Sequence, residues 1–130
     1  MVSYWPTPAA LKGEPAIAER MNNLPKFVFS RTLSQSSWNN TSFLHGDTAS
    51  EVRKLKEQPG KRIAVLGSGS IVAQLAPAGL VDQFEIVVNP VAIGRGRTLF
   101  EGVRDQLNLS LTKTRTFRNG NVLLCYARTP

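Results

Sequence analysis

A chain of 130 residues with 42% hydrophobic and 19% charged residues is long enough to bury a core and too apolar to stay disordered. One cysteine excludes an internal disulfide, and no apolar run approaches the roughly 18 residues of a membrane span. Sixteen Lys and Arg against nine Asp and Glu give a net charge of +7, which suits a solvated basic surface that steers a phosphorylated small molecule better than it suits DNA or RNA.

Residues 1 to 25 are rich in Pro and Ala, and the stretch from Glu14 to Met21 suits a short helix, with Pro15 in its first turn and Ile17 and Met21 spaced i, i+4. Pro25 imposes extended backbone on the residue before it, and Lys26 to Ser30 reads as a strand. Trp38 to Leu44 reads as a second short strand or an irregular edge. Thr48 followed by Glu51 is a capping box, and Ala49, Val52 and Leu55 form one apolar stripe of a helix that Pro59-Gly60 ends.

Arg62 to Leu66 is almost continuously apolar, the pattern of a strand buried on both faces of a parallel sheet. A turn over residues 67 to 70, a short helix through Ile71, Val72 and Leu75 ended by Pro77 and Gly79, and a strand from Phe84 to Val88 complete a βαβ unit. Leu107, Leu109 and Leu111 alternate with polar residues, Asn119-Gly120 is a type I′ hairpin signal, and Asn121 to Ala127 returns as the partner strand. The expected fold is α/β: a mostly parallel sheet closed by a C-terminal antiparallel hairpin, in a single domain over residues 1–130.

Three segments could carry chemistry. Gly67-Ser68-Gly69-Ser70, following Leu66, lets backbone approach a phosphate at a helix start. A third glycine is missing at Val72 and no acidic residue stands about 20 positions on, so spacing alone leaves a plain tight turn equally open. Ser30-Arg31-Thr32, after a strand, offers a guanidinium fork and two hydroxyls to a phosphate monoester, or an exposed loop whose hydroxyls cap their own backbone. Gly94-Arg95-Gly96-Arg97 reads as solvated turn residues before an anion grip. His45 is the only histidine, so a zinc cluster has no basis, and Cys125 in an apolar run reads as a buried inert thiol in a reducing, cytoplasmic setting. The basic residues form no long stripe interleaved with aromatics, which argues against nucleic acid as the partner.

Read together, Met21 to Leu33, Gly67 to Ser70, Gly79 to Asp82, Asn89 to Gly96 and Leu99-Phe100 resemble, in the same order, the bacterial dihydrofolate-reductase-like family that includes the reductase domain of riboflavin biosynthesis. The resemblance implies that family's three-layer fold, NADPH as cofactor, and a pteridine- or pyrimidine-like small-molecule substrate. It places Ser30, Arg31 and Thr32 at the adenosine 2′-phosphate and Leu66, Gly67, Ser68, Gly69 and Ser70 at the pyrophosphate. Family members carry a further N-terminal portion before the segment resembling Ser3 to Pro6. Its absence implies one missing strand between Arg62–Leu66 and Phe84–Val88 and a second between Lys26–Ser30 and Arg62–Leu66; the sheet then closes on itself, takes a separate polypeptide, or, as the leading expectation, self-associates as a dimer, and no catalytic residue is left to name. Two rival readings stand beside the reductase: a non-catalytic nucleotide-binding or oligomerising remnant, and a basic nucleic-acid-binding protein.

Overall fold

The computed structural model describes residues 1–66 and 68–129, which fall into two compact units, Met1–Asp47 and Thr48–Pro130. In the first, α1 (Pro8–Gly13) and α2 (Pro15–Asn23) precede β1 (Lys26–Phe29) and β2 (Thr41–Leu44). Each helix has proline in its first turn, where the missing N–H costs nothing. Thr7 caps α1 by accepting from the Ala10 amide at 3.3 Å. Ala10 and Ala18 are the buried residues of the two helices.

β1 and β2 run parallel, with Lys26 opposite Thr41 and Phe29 opposite Leu44. A polar cluster fastens α2 to them. The Lys26 ammonium donates to the carbonyls of Met21, Asn22 and Leu24 at 2.9, 3.0 and 2.8 Å, at the C-terminal end of α2 where carbonyls lack helical partners. The same ammonium lies 4.8 Å from the centre of the Trp38 ring, whose Nε1 donates to Asn22 Oδ1 at 2.7 Å. Asn40 holds φ at 56° and donates to the Asn23 carbonyl at 2.9 Å. The expected strand at 38–44 thus forms from Thr41, and the Asn39-Asn40 pair supplies the turn that precedes it.

The second unit contains α3 (Thr48–Glu57), α4 (Gly69–Leu75), β3 (Gln83–Val88), β4 (Leu109–Thr116) and β5 (Val122–Arg128). Its buried residues are Thr48, Val52, Leu75, Ala76, Phe84 and Cys125, and Phe84 meets Phe100 edge to face at 5.5 Å. Beyond α4 the Gly79 amide donates to Ala76 at 3.1 Å and the Leu80 amide to Leu75 at 3.0 Å, with Gly79 at φ 72°. That is a Schellman stop, as Pro77 and Gly79 foretold. The Lys56 ammonium reaches Asp82 at 2.6 Å and the Leu80 carbonyl at 3.2 Å, tying α3 to the entry of β3.

The three strands form one antiparallel sheet in the order β3-β5-β4. The hairpin falls where Asn119-Gly120 put it, but its turn is not type I′. Asn119 does not have positive φ; only Gly120 does, at 86°, and the Gly120 amide donates to Phe117 at 3.0 Å while the Phe117 amide donates to Asn121 at 2.8 Å. This is a three-residue loop with a left-handed third position.

The larger correction concerns Arg62–Leu66, which forms no strand, so the expected βαβ unit is not made. A strand exists only through its ladder partners, and none of the described residues pairs with this segment; Ile63, Val65 and Leu66 are 50%, 40% and 54% exposed. Among the described residues, β3 takes its only partner from the hairpin instead. Parallel pairing among the described residues is confined to β1 and β2. None of their helices is long and apolar enough to cross a membrane.

Candidate functional site

Parallel pairing with an offset of 15 residues brings the ends of β1 and β2 level, so Ser30 and His45 emerge side by side at the carboxyl edge. Ligands of open α/β sheets gather at that edge. Ser30 Oγ accepts the amides of Thr32 and Leu33 at 3.3 and 2.9 Å. Both of its lone pairs are then engaged, and what the hydroxyl still offers is its proton, a donor suited to an anion. His45 Nδ1 lies 2.8 Å from the Ser30 carbonyl oxygen. A carbonyl only accepts, so Nδ1 carries the hydrogen and the turn is pinned from the β2 side.

Arg31 and Thr32 are exposed beyond this turn, and Arg31 meets no carboxylate among the described residues. Of the two readings of the segment, the self-capping loop is the one these bonds describe. The Ser30 hydroxyl caps its own backbone, and that capping presents Arg31 and Thr32 outward. His45 escaped sequence reasoning as a participant; the signal was the equal distance from Lys26 to Ser30 and from Thr41 to His45, legible only once the parallel register is known.

The other expected site residues belong to the second unit. Leu66 is exposed, Gly67 lies outside the described residues, and Ser68 stands at the N-cap of α4 without a side-chain capping bond. Its Oγ lies 3.4 Å from that of Ser70. Gly69 is the first helical residue, and a Cβ there would meet only the Leu99 carbonyl oxygen at 3.8 Å, an ordinary contact. Packing inside the unit does not require glycine at this position. The structure thus places Ser30, Arg31 and Thr32 together in one unit, and Leu66, Ser68, Gly69 and Ser70 together in the other.

The Gly94–Arg97 loop is exposed, with Gly94 at φ 69° and Gly96 at φ 152°, and Arg97 lies 3.8 Å from Glu101 across a loose surface pair. A hollow of about 240 Å³ lined by Phe100, Val103, Asp105, Leu107 and Leu109 has one carboxylate in an apolar rim. Cys125 is buried at 4% exposure in the central strand of the sheet. Two lysines titrate away from their ordinary range. Burial pulls Lys26 down, and the carboxylate of Glu51, 2.8 Å away, holds Lys54 up.

Residues 1–123 match the RibD C-terminal domain family, and the chain belongs to it. Two curated relatives come from Bacillus subtilis (strain 168), both uncharacterized: YyaP, 36% identical over 113 residues, and YwjB, 26% identical over 102. The first alignment covers 87% of this chain and 60% of YyaP, the second 78% and 58% of YwjB, so the chain spans somewhat under two-thirds of the length of these relatives. Among solved structures, a putative riboflavin biosynthesis protein from Shewanella sp. PV-4 superposes with a TM-score of 0.72 at 17% identity, over 96% of this chain and 84% of its own. A pyrimidine reductase-like protein from Corynebacterium diphtheriae gives 0.59 at 16%, over 80% and 50%. At these identities the structures establish the fold alone: the chain has the α/β, dihydrofolate-reductase-like architecture that its motifs resemble.

Proposed function

We propose that this chain is an NADPH-binding part of a reductase of the dihydrofolate reductase and riboflavin-biosynthesis type, acting on a pteridine- or pyrimidine-like compound such as 5-amino-6-(5-phosphoribosylamino)uracil. The observation that carries it is the Ser30 turn. A hydroxyl whose acceptor sites are filled by two amides, next to a guanidinium with no carboxylate partner among the described residues and a second exposed hydroxyl, forms a donor-rich set. Such a set fits the 2′-phosphate that distinguishes NADPH from NADH. Ser68, Gly69 and Ser70, with Leu66 and Gly67 before them, are the residues proposed for the pyrophosphate. The room around Gly69 is compatible with close approach of a ligand.

When bound, the cofactor supplies the hydride; the protein's contribution is to bind and orient it against the substrate. The reading includes self-association as a dimer in the cytoplasm. The outer edge of β3 is unpaired among the described residues, and its Val87 and Val88 are each 49% exposed. The non-catalytic remnant makes the same binding predictions without turnover.

Thermal unfolding with NADPH and with NADH tests the cofactor assignment. At 100 times its dissociation constant, a ligand specific for the folded state adds about 2.7 kcal/mol. Arg31→Ala should weaken NADPH far more than NADH, and equal losses for the two cofactors would sink the 2′-phosphate assignment. A dilute sample sedimenting as a monomer would remove the dimer. Consumption of NADPH with a substrate separates the enzyme from the remnant.

A further inference from the structure

The positive charge is unevenly distributed. The second unit holds twelve Lys and Arg against six Asp and Glu, the first unit four against three. From Gln106 to the C-terminus there are four basic residues and no acidic one. Three of the four, Lys113, Arg115 and Arg118, belong to β4 and the hairpin turn, and all three are exposed.

Their arrangement follows from the register. Lys113 lies opposite Cys125 and Arg115 opposite Leu123, so the two side chains project from the same face of the sheet, two residues apart. The nearest acidic position on that face is Glu85, which is also opposite Cys125, but from β3 on the other side of β5. Two strand spacings put it about 10 Å away along the sheet, roughly one Debye length at 0.1 M salt. The Arg115 guanidinium is not idle. It lies 4.7 Å from the centre of the Phe117 ring, a cation–π contact. Arg115, Thr116, Phe117, Arg118 and Asn119 together line an open hollow of about 540 Å³.

Uniform sign, an arginine braced on an aromatic ring, and a shallow open surface suit a flexible polyanion. Sequence spacing alone does not show the pairing of Arg115 with Phe117, because it depends on the chain leaving β4 at Thr116. The hairpin does not project as a free two-stranded ribbon, the shape that enters a duplex groove. β3 flanks it up to the pair Val88–Val122, and Pro90 packs against Gly120. We infer that the β4–β5 hairpin is a docking surface for single-stranded nucleic acid, gripping the phosphodiester backbone through Lys113, Arg115 and Arg118 beside the Arg115–Phe117 stack. The surface is independent of the proposed cofactor residues, none of which it shares.

Fluorescence anisotropy of a labelled oligothymidylate with the full chain tests this. Sequence-independent binding should fall in the range of roughly 10⁻⁶ to 10⁻⁴ M, with a log–log salt slope of about −2 for three cations, or about 15-fold weaker binding at 200 mM than at 50 mM salt. Lys113→Ala, Arg115→Ala and Arg118→Ala combined should abolish it, and each single change should flatten the slope by about 0.7. All three positions are exposed, and an unchanged circular dichroism spectrum confirms that the variant is folded. Equal binding by the triple variant, or a preference for the corresponding duplex, would overturn the inference. So would full displacement of the strand by inorganic phosphate or NADPH at matched phosphate concentration, which would assign the surface to a small phosphate ester. A triple variant that keeps its NADPH melting shift while losing the oligonucleotide separates this surface from the cofactor reading.

Discussion

Lys26→Met removes an ammonium and keeps nearly the same stem, so it isolates the polar cluster that fastens α2 to β1 and β2. Three carbonyl contacts at 2.8 to 3.0 Å and one aromatic face are lost. The contact with Leu24 is exposed and water replaces it, so it contributes little; the contacts with Met21 and Asn22 are part-buried. Taking about 1 kcal/mol for each of those, below the usual range for charged donors because water still reaches them, and about 0.5 kcal/mol for the ring gives roughly 2.5 kcal/mol. The cost of taking the charge partly out of water, which also pulls the Lys26 pKa down, opposes this, so roughly 2.5 kcal/mol is the upper bound of the loss. The assay is urea unfolding read together with amide exchange. Exchange in β1 and β2 should accelerate while β5 keeps its protection. A loss under about 0.5 kcal/mol would refute the reasoning, because it would mean the carbonyls at the end of α2 are as well served by water. Loss of protection spread evenly over β5 would refute its locality.

Four further outcomes are expected. Thr41 Oγ1 is buried and has no hydrogen-bond partner among the described residues, so Thr41→Val, nearly the same shape, should stabilise the protein by up to about 1 kcal/mol in the same urea measurement. Gly79→Ala places a side chain at φ 72° against the Arg128 guanidinium and should cost about 1–2 kcal/mol, whereas Gly69→Ala should be neutral or stabilising by up to about 0.5 kcal/mol and yet weaken NADPH if the pyrophosphate assignment holds. The Lys54–Glu51 pair raises the lysine above 10.5 in the folded state, so its stabilisation is fully present at neutral pH and is lost as pH rises through that raised value. A Lys54→Ala variant should therefore differ from the parent in low-salt thermal unfolding at pH 7 and converge with it once the lysine has lost its proton.

The readable elements were those whose signal is local. The stripe of Ala49, Val52 and Leu55 gave α3, which starts with Thr48 itself as its first helical residue; alternation and Asn119-Gly120 gave the C-terminal hairpin; Pro77 and Gly79 gave the stop after α4. α1 went unread because six residues with one leucine carry no periodicity, and its burial rests on a single alanine. Arg62–Leu66 misled for the opposite reason. Its composition states a β preference, but a strand is a property of two segments, and the second is not among the described residues. The turn at Ser30 was legible as a phosphate-suited trio or as self-capping; the structure shows the self-capping, with Arg31 and Thr32 exposed beyond it. What no spacing rule could supply was Asn22, Lys26 and Trp38 converging on the end of α2, since that depends on where the chain returns after Pro25.

The burial of Cys125 has a practical consequence. It is the chain's one thiol, and it lies in the middle of the central strand, between Glu85 and Lys113 on its neighbours. A thiol reagent can reach it only when the residues that cover its face of the sheet move aside, so its labelling rate under native conditions is a clock for that opening, set by the open population when reclosing is fast. No engineered probe is needed. Occupancy of the hairpin surface should slow the clock if it steadies the sheet, and occupancy of the Ser30 turn offers the matched comparison from the other unit.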